Sequence, residues 1–126
     1  MKLHKVKIQS LTFSCNGKYL ASVGTADEKN QILIWDVEAG KPQYGSFLGD
    51  NPVTLLKFFN TVDERIIAIT EKGVLLLTID SEHKKIKSLV VNLGNLKRKF
   101  NTMIIDPEDE FVYCGTSTGD IIEVNI

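Results

Sequence analysis

The feature that most constrains this chain is a period. Phe13, Phe59 and Ile105 each close a short apolar run, and they stand at equal separations of 46 residues. Six residues beyond each begins a second run: Tyr19-Leu20-Ala21-Ser22-Val23, Arg65-Ile66-Ile67-Ala68-Ile69 and Phe111-Val112-Tyr113-Cys114-Gly115. A small residue, Ser22, Ala68 or Cys114, falls at the same place in each, where close packing is expected. Self-similarity at a spacing of this size marks stacked units, each too small to bury its apolar surface alone.

The connections between first and second runs are polar and five residues long: Ser14-Cys15-Asn16-Gly17-Lys18, Asn60-Thr61-Val62-Asp63-Glu64 and Asp106-Pro107-Glu108-Asp109-Glu110. Such stretches make hairpins. A third run follows in each unit, Ile32-Leu33-Ile34-Trp35-Asp36-Val37 in the first, 74–80 in the second and 121–126 in the third. Gly73 and Gly119 both lie fourteen residues after their anchors, whereas the first unit carries three extra residues in 25–30, so Thr78 and Val124 are set against Trp35. A fourth, more polar run occupies Gln43-Tyr44-Gly45-Ser46-Phe47-Leu48 and 86–92 and is absent from the third unit.

Short runs rich in β-branched residues, with no helical period, predict an all-β chain of three four-stranded antiparallel blades of a β-propeller, the third incomplete. The blades span approximately 3–48, 49–92 and 95–126. A blade buries both faces, which fits the unbroken run Val74-Leu75-Leu76-Leu77. Closed propellers typically need four to eight blades, so three are expected to be part of a larger ring, with apolar faces open to self-association.

The first unit carries Leu3-His4, then Leu11-Thr12-Phe13-Ser14-Cys15-Asn16-Gly17-Lys18-Tyr19-Leu20-Ala21-Ser22, then Ile32-Leu33-Ile34-Trp35-Asp36. In order and spacing these resemble the signposts of the WD-repeat family. The resemblance implies a hydrogen-bonded set of His4, Ser22, Asp27 and Trp35 tying the strands of one blade together. Lys29 stands where the family has its turn acid, so Asp27 or Glu28 must supply it. The other units have drifted, with Gly49-Asp50, Ala68 and Thr78 at the signpost positions of the second and Cys114 and Val124 in the third.

Further segments, Leu3-His4-Lys5-Val6-Lys7-Ile8, Leu96-Lys97-Arg98 and 111–122, resemble in order WD-repeat proteins of the ciliary axoneme that lie inside doublet microtubules. This implies a non-catalytic structural scaffold of cilia or flagella that contacts tubulin and other axonemal proteins. A WD-repeat adaptor in a ubiquitin-ligase or trafficking assembly is the alternative, since propellers host many functions.

Fifteen basic residues against sixteen acidic leave a net charge of −1, so contact with nucleic acid or an anionic membrane would need a local site. No apolar run is long enough to span a bilayer, and the amino terminus lacks a signal peptide's apolar stretch, which predicts a cytoplasmic protein. Two basic clusters stand out, Lys84-Lys85-Ile86-Lys87 and Lys97-Arg98-Lys99. Each is either a solvated surface or a contact for an acidic partner, with tubulin the candidate under the resemblance. They lack the interleaved aromatics of a nucleic-acid platform. The segments 25–30 and 92–100 are expected on one rim, as a contact surface.

No cofactor is expected. Two histidines are too sparse for a metal cluster: His4 reads as structural and His83, in Asp80-Ser81-Glu82-His83-Lys84-Lys85, as solvated. Cys15 and Cys114 are too few for a disulfide framework and read as small core residues. The acids around Pro107 lack calcium-loop spacing. Gly115-Thr116-Ser117-Thr118-Gly119 matches the nucleophile elbow of hydrolases, which needs a following helix and a later His. A strand-like run follows instead, so a hydrolase using Ser117 ranks last and a hairpin turn first. Trp35, inside an apolar run, is expected in the core with its indole N–H bonded.

Overall fold

A computed structural model of the chain describes residues 8–24, 31–48, 53–70, 73–91 and 100–126. The strands are β1 (Ile8–Phe13), β2 (Tyr19–Gly24), β3 (Gln31–Asp36), β4 (Lys41–Phe47), β5 (Val53–Phe58), β6 (Arg65–Thr70), β7 (Gly73–Asp80), β8 (Lys85–Val90), β9 (Phe100–Ile105), β10 (Phe111–Thr116) and β11 (Ile121–Asn125). They form three antiparallel sheets in the orders β1-β2-β3-β4, β5-β6-β7-β8 and β11-β10-β9. Among the described residues no helix is long and apolar enough to cross a membrane.

The turns form where the chain can take positive φ. Gly17 (72°), Gly40 (67°) and Gly119 (90°) do so without a Cβ, and Lys84 (53°) and Asp109 (60°) do so in two further turns. The long side chains then alternate between faces. Tyr19, Ala21, Val23, Ile32 and Ile34 of the first sheet meet Val53, Leu56, Phe58, Ile66, Ala68 and Leu77 of the second. Ile67, Ile69 and Val74, from the opposite face of the second sheet, meet Met103, Ile105, Val112, Cys114 and Val124 of the third. Full burial of each large apolar side chain contributes roughly 1.5–3 kcal/mol, so these two seams hold the stack together. The middle sheet is covered on both sides, which accounts for its unbroken apolar run.

Ladder pairing corrects the register read from the sequence. Phe13 pairs with Leu20 and Ile105 with Val112, but in the second sheet it is Phe58 that pairs with Ile66. The connection after β5 is therefore one residue longer, and Phe59 lies past the strand. The β6–β7 turn is tighter, Thr70 pairing with Gly73, so that Leu77, not Thr78, stands across from Ile66 as Trp35 stands across from Leu20. Val124 does occupy that place in the third sheet, opposite Val112.

Candidate interaction surfaces

Trp35 is 4% exposed, and its Nε1–H donates to Ser22 Oγ at 2.9 Å. The two residues lie on neighbouring strands β3 and β2, so the bond ties third strand to second. His4 and Asp27, the other members of the expected set, lie outside the described residues, as does Glu28. The same holds for Lys97, Arg98, Lys99 and both rim segments, apart from Phe100.

Lys84, Lys85 and Lys87 are exposed, at the turn between β7 and β8 and along β8 itself. Asp80, ending β7, organises this turn. Its carboxylate accepts the His83 backbone N–H at 3.1 Å and lies 2.8 Å from His83 Nδ1 and 3.2 Å from Lys87 Nζ. The His83 hydrogen bonds foremost, then Lys87, hold the Asp80 carboxyl far below the usual carboxylate range. Ligand atoms of Asp80, Glu82 and His83 gather within 4.8 Å. Both Asp80 oxygens already serve the turn, so the arrangement is that of a capped loop beside a basic strand.

Ser117 is exposed in the turn joining β10 to β11. Thr116 N–H donates to Asp120 O at 3.0 Å, and Thr118 Oγ1 donates to Asp120 Oδ2 at 3.0 Å. The sequence Gly115-Thr116-Ser117-Thr118-Gly119 thus closes a hairpin, with a strand where an elbow has a helix.

The residues that sequence reasoning missed join the turns of successive sheets. Asp63 accepts the Asn16 backbone N–H at 3.2 Å and Asn16 Nδ2–H at 2.9 Å, reaching from the second sheet's turn to the first's. Asp109 does the same one seam later. It accepts Asn60 N–H and Thr61 N–H, each at 2.8 Å, and the Thr61 hydroxyl at 2.5 Å. Each Asp stands two residues before the second strand of its sheet, where the first sheet has Gly17. Hydrogen bonds from Ser14 first and Asn16 next hold Asp63 below the usual range. Burial alone would raise the Asp109 carboxyl, but the Thr61 and Asn60 donors outweigh it and hold it low. The 46-residue spacing of these acids was the available signal. Asp106 serves its own turn, accepting Glu110 N–H at 2.7 Å and Phe111 N–H at 2.8 Å.

The expectation that both cysteines are core residues fails for Cys15, which is exposed in the first turn, its Sγ 3.7 Å from Asp63 Oδ1. Turn geometry, not hydrophobicity, places it there. Cys114 is buried in the second seam, and that burial pushes its thiol up to about 11.

Apolar side chains remain uncovered at the two ends of the stack. Leu11 and Phe13, 57% and 62% exposed, share the face of the first sheet turned away from the first seam. Ile104 and Ile121 are 59% and 76% exposed on the far face of the third sheet.

No family model matches the chain. It is 39% identical over 124 residues to cilia- and flagella-associated protein 52 of Chlamydomonas reinhardtii, a match covering 98% of this chain and 20% of that protein. The human protein of the same name is 32% identical over 130 residues, with 99% and 20% covered. The chain thus spans about a fifth of the length of these curated relatives. Among solved structures, the β-propeller domain of Cps50 (Swd1) from Myceliophteria thermophila superposes with a TM-score of 0.82 at 18% identity, over 98% of this chain and 40% of that one. A chain of the mitotic checkpoint complex gives 0.78 at 12% identity, over 98% and 37%. The three sheets are blades of a WD-repeat β-propeller, and over nearly its whole length the chain is homologous to cilia- and flagella-associated protein 52.

Proposed function

We propose that the chain is part of a non-catalytic protein-interaction scaffold of the cilium or flagellum, seated inside the doublet microtubule, which meets an acidic partner, tubulin, through Lys84, Lys85 and Lys87. The observation that carries the reading is the homology over nearly the whole chain to proteins named for cilia and flagella. The basic strand supports it, because Lys84, Lys85 and Lys87 are all exposed to an approaching carboxylate, Lys87 while paired with Asp80 at 3.2 Å. Lys97, Arg98 and Lys99 belong to the same proposed contact. The open end faces bearing Leu11, Phe13, Ile104 and Ile121 would be covered by further blades in a longer protein.

Co-sedimentation with microtubules tests the contact. The chain is expected to pellet with them, and Lys84→Glu/Lys85→Glu/Lys87→Glu is expected to weaken the association about tenfold or more at low salt. Equal pelleting of the two proteins would reject the basic strand as the contact. The end faces are tested by light scattering, where the 126-residue chain is expected to self-associate as its concentration rises. A strictly monomeric mass at every concentration would show that those faces need no cover.

A further inference from the structure

We propose that the free edge of β8 is a docking strand, to which an extended acidic segment of a partner protein adds as one more strand of the second sheet. This deepens the reading of the lysine cluster as an acidic contact and rests on it. β8 ends the order β5-β6-β7-β8, so among the described residues one side of its main chain has no strand beside it. Its pairing with β7 runs without a shift from Asp80↔Lys85 to Leu75↔Val90, and Val91 N–H continues the ladder to Val74 O at 2.9 Å. In an antiparallel ladder, residues alternate between those that aim both main-chain groups at the partner strand and those that aim them away. Val91 points to β7, so Lys85, Lys87 and Leu89 do too, and Ile86, Ser88 and Val90 turn their N–H and C=O outward.

The corresponding outer strand of the first sheet is built differently. β4 contains Pro42, and its pairing with β3 is irregular between Ile34 and Trp35. Proline and irregular pairing are the usual means of blunting an edge. β8 has neither and leaves Leu89 and Val90 62% and 71% exposed. Its guard is charge. Lysines discourage pairing with apolar or basic strands and accept one bearing carboxylates. Lys85, Lys87 and Leu89 share one face, so the matching segment carries two acids at alternate positions, beside Lys85 and Lys87, followed by an apolar residue beside Leu89. Asp80 holds Lys87 in place at 3.2 Å, so the pattern is partly ordered before the partner arrives.

The probe is a short synthetic peptide of alternating Glu and Val, with alternating Lys and Val as control. Amide exchange on the full chain is expected to slow about tenfold or more at Ile86, Ser88 and Val90 with the acidic peptide and to stay unchanged with the basic one. Ser88→Pro removes an outward N–H without touching the β7 ladder and is expected to weaken binding about tenfold. Lys85→Glu/Lys87→Glu is expected to weaken it comparably. Acidic-peptide binding that survives Ser88→Pro and protects none of the three amides would overturn strand addition while leaving the charged contact standing. Indifference to charge reversal as well, or no binding of the acidic peptide, would overturn both. The exchange pattern of the unaltered chain decides the matter even if Ser88→Pro fails to fold.

Discussion

The first and second sheets share one ladder and fill its centre with different chemistry. Across β2 and β3 the pair Ser22 and Trp35 is joined by a 2.9 Å hydrogen bond, whereas the equivalent positions of β6 and β7 hold Ala68 and Leu77. Ala68 and Leu77 press against the first sheet in the first seam, and apolar contact is enough to fix them. Ser22 and Trp35 occupy the opposite side of the first sheet from that seam, the side that also carries the exposed Leu11 and Phe13. There the blade is tied by a bond within itself. The comparison teaches that a drifted repeat can replace its polar pin with apolar contact to the neighbouring blade.

The largest effect expected follows from removing the pin's aromatic. Trp35→Ala is expected to destabilise the chain by about 3–5 kcal/mol, from lost burial and the cavity left behind. Leu77→Ala should be somewhat milder, about 2–4 kcal/mol, because fewer atoms are lost. Trp35→Phe keeps most of the volume but withdraws the donor from Ser22, at about 1–2 kcal/mol. Chemical denaturation checks all three. A shift below about 1 kcal/mol for Trp35→Ala would reject the pin, and a Trp35→Phe as stable as the parent would assign its strength to packing alone.

The next comparison is between the two turn-to-turn links. Asp109 takes three donors from Asn60 and Thr61, and Asp63 takes two from Asn16 beside those of Ser14 and Cys15, so Asp109→Asn and Asp63→Asn are each expected to lose about 1–2 kcal/mol. Both carboxyls are held below their ordinary value in the folded chain. A depressed folded pKa means that the unfolded chain takes up a proton first on acidification. The contribution is therefore complete above the ordinary carboxylate range and fades as the pH falls through it towards the lowered folded values. Denaturation midpoints measured from neutrality to about pH 3 should decline for the parent and decline less for Asp63→Asn/Asp109→Asn. Parallel curves would remove the links from the account of stability.

Much of this architecture was legible because the period is a direct image of the stacked blades. Phe13, Phe59 and Ile105 located all three first strands, and Val74-Leu75-Leu76-Leu77 signalled a sheet covered on both faces. Register was not fully legible. One residue more after β5 and one fewer before β7 leave the period almost unchanged, yet they exchange Phe59 for Phe58 and Thr78 for Leu77. A slip of this kind moves a side chain to the other face, which no average spacing reveals. Nor does linear pattern say which turns adjoin, so Asp63 and Asp109 read as ordinary hairpin acids. Cys15 failed for a related reason: it sits exposed in a turn, with its Sγ 3.7 Å from Asp63 of the neighbouring turn.

The smallest effect is also the most local. Cys15 is exposed and Cys114 is buried in the second seam, so a thiol reagent should label Cys15 in the folded chain and reach Cys114 only when that seam opens. Partial desolvation first, and the Asp63 carboxylate next, push the Cys15 thiol above its ordinary value, so its labelling should be slow at neutral pH and quicken as the pH rises. Cys114 then serves as a reporter that separates the two links. Asp109 spans the same seam that buries Cys114, so Asp109→Asn should speed its labelling by about tenfold, the factor that corresponds to about 1.4 kcal/mol of opening free energy. Asp63 spans the other seam, and Asp63→Asn should leave the Cys114 rate near that of the parent while altering the labelling of Cys15 beside it. Equal acceleration of Cys114 by both variants would mean that the three blades open together, and the links would then act on the stack as a whole, without local hold on either seam.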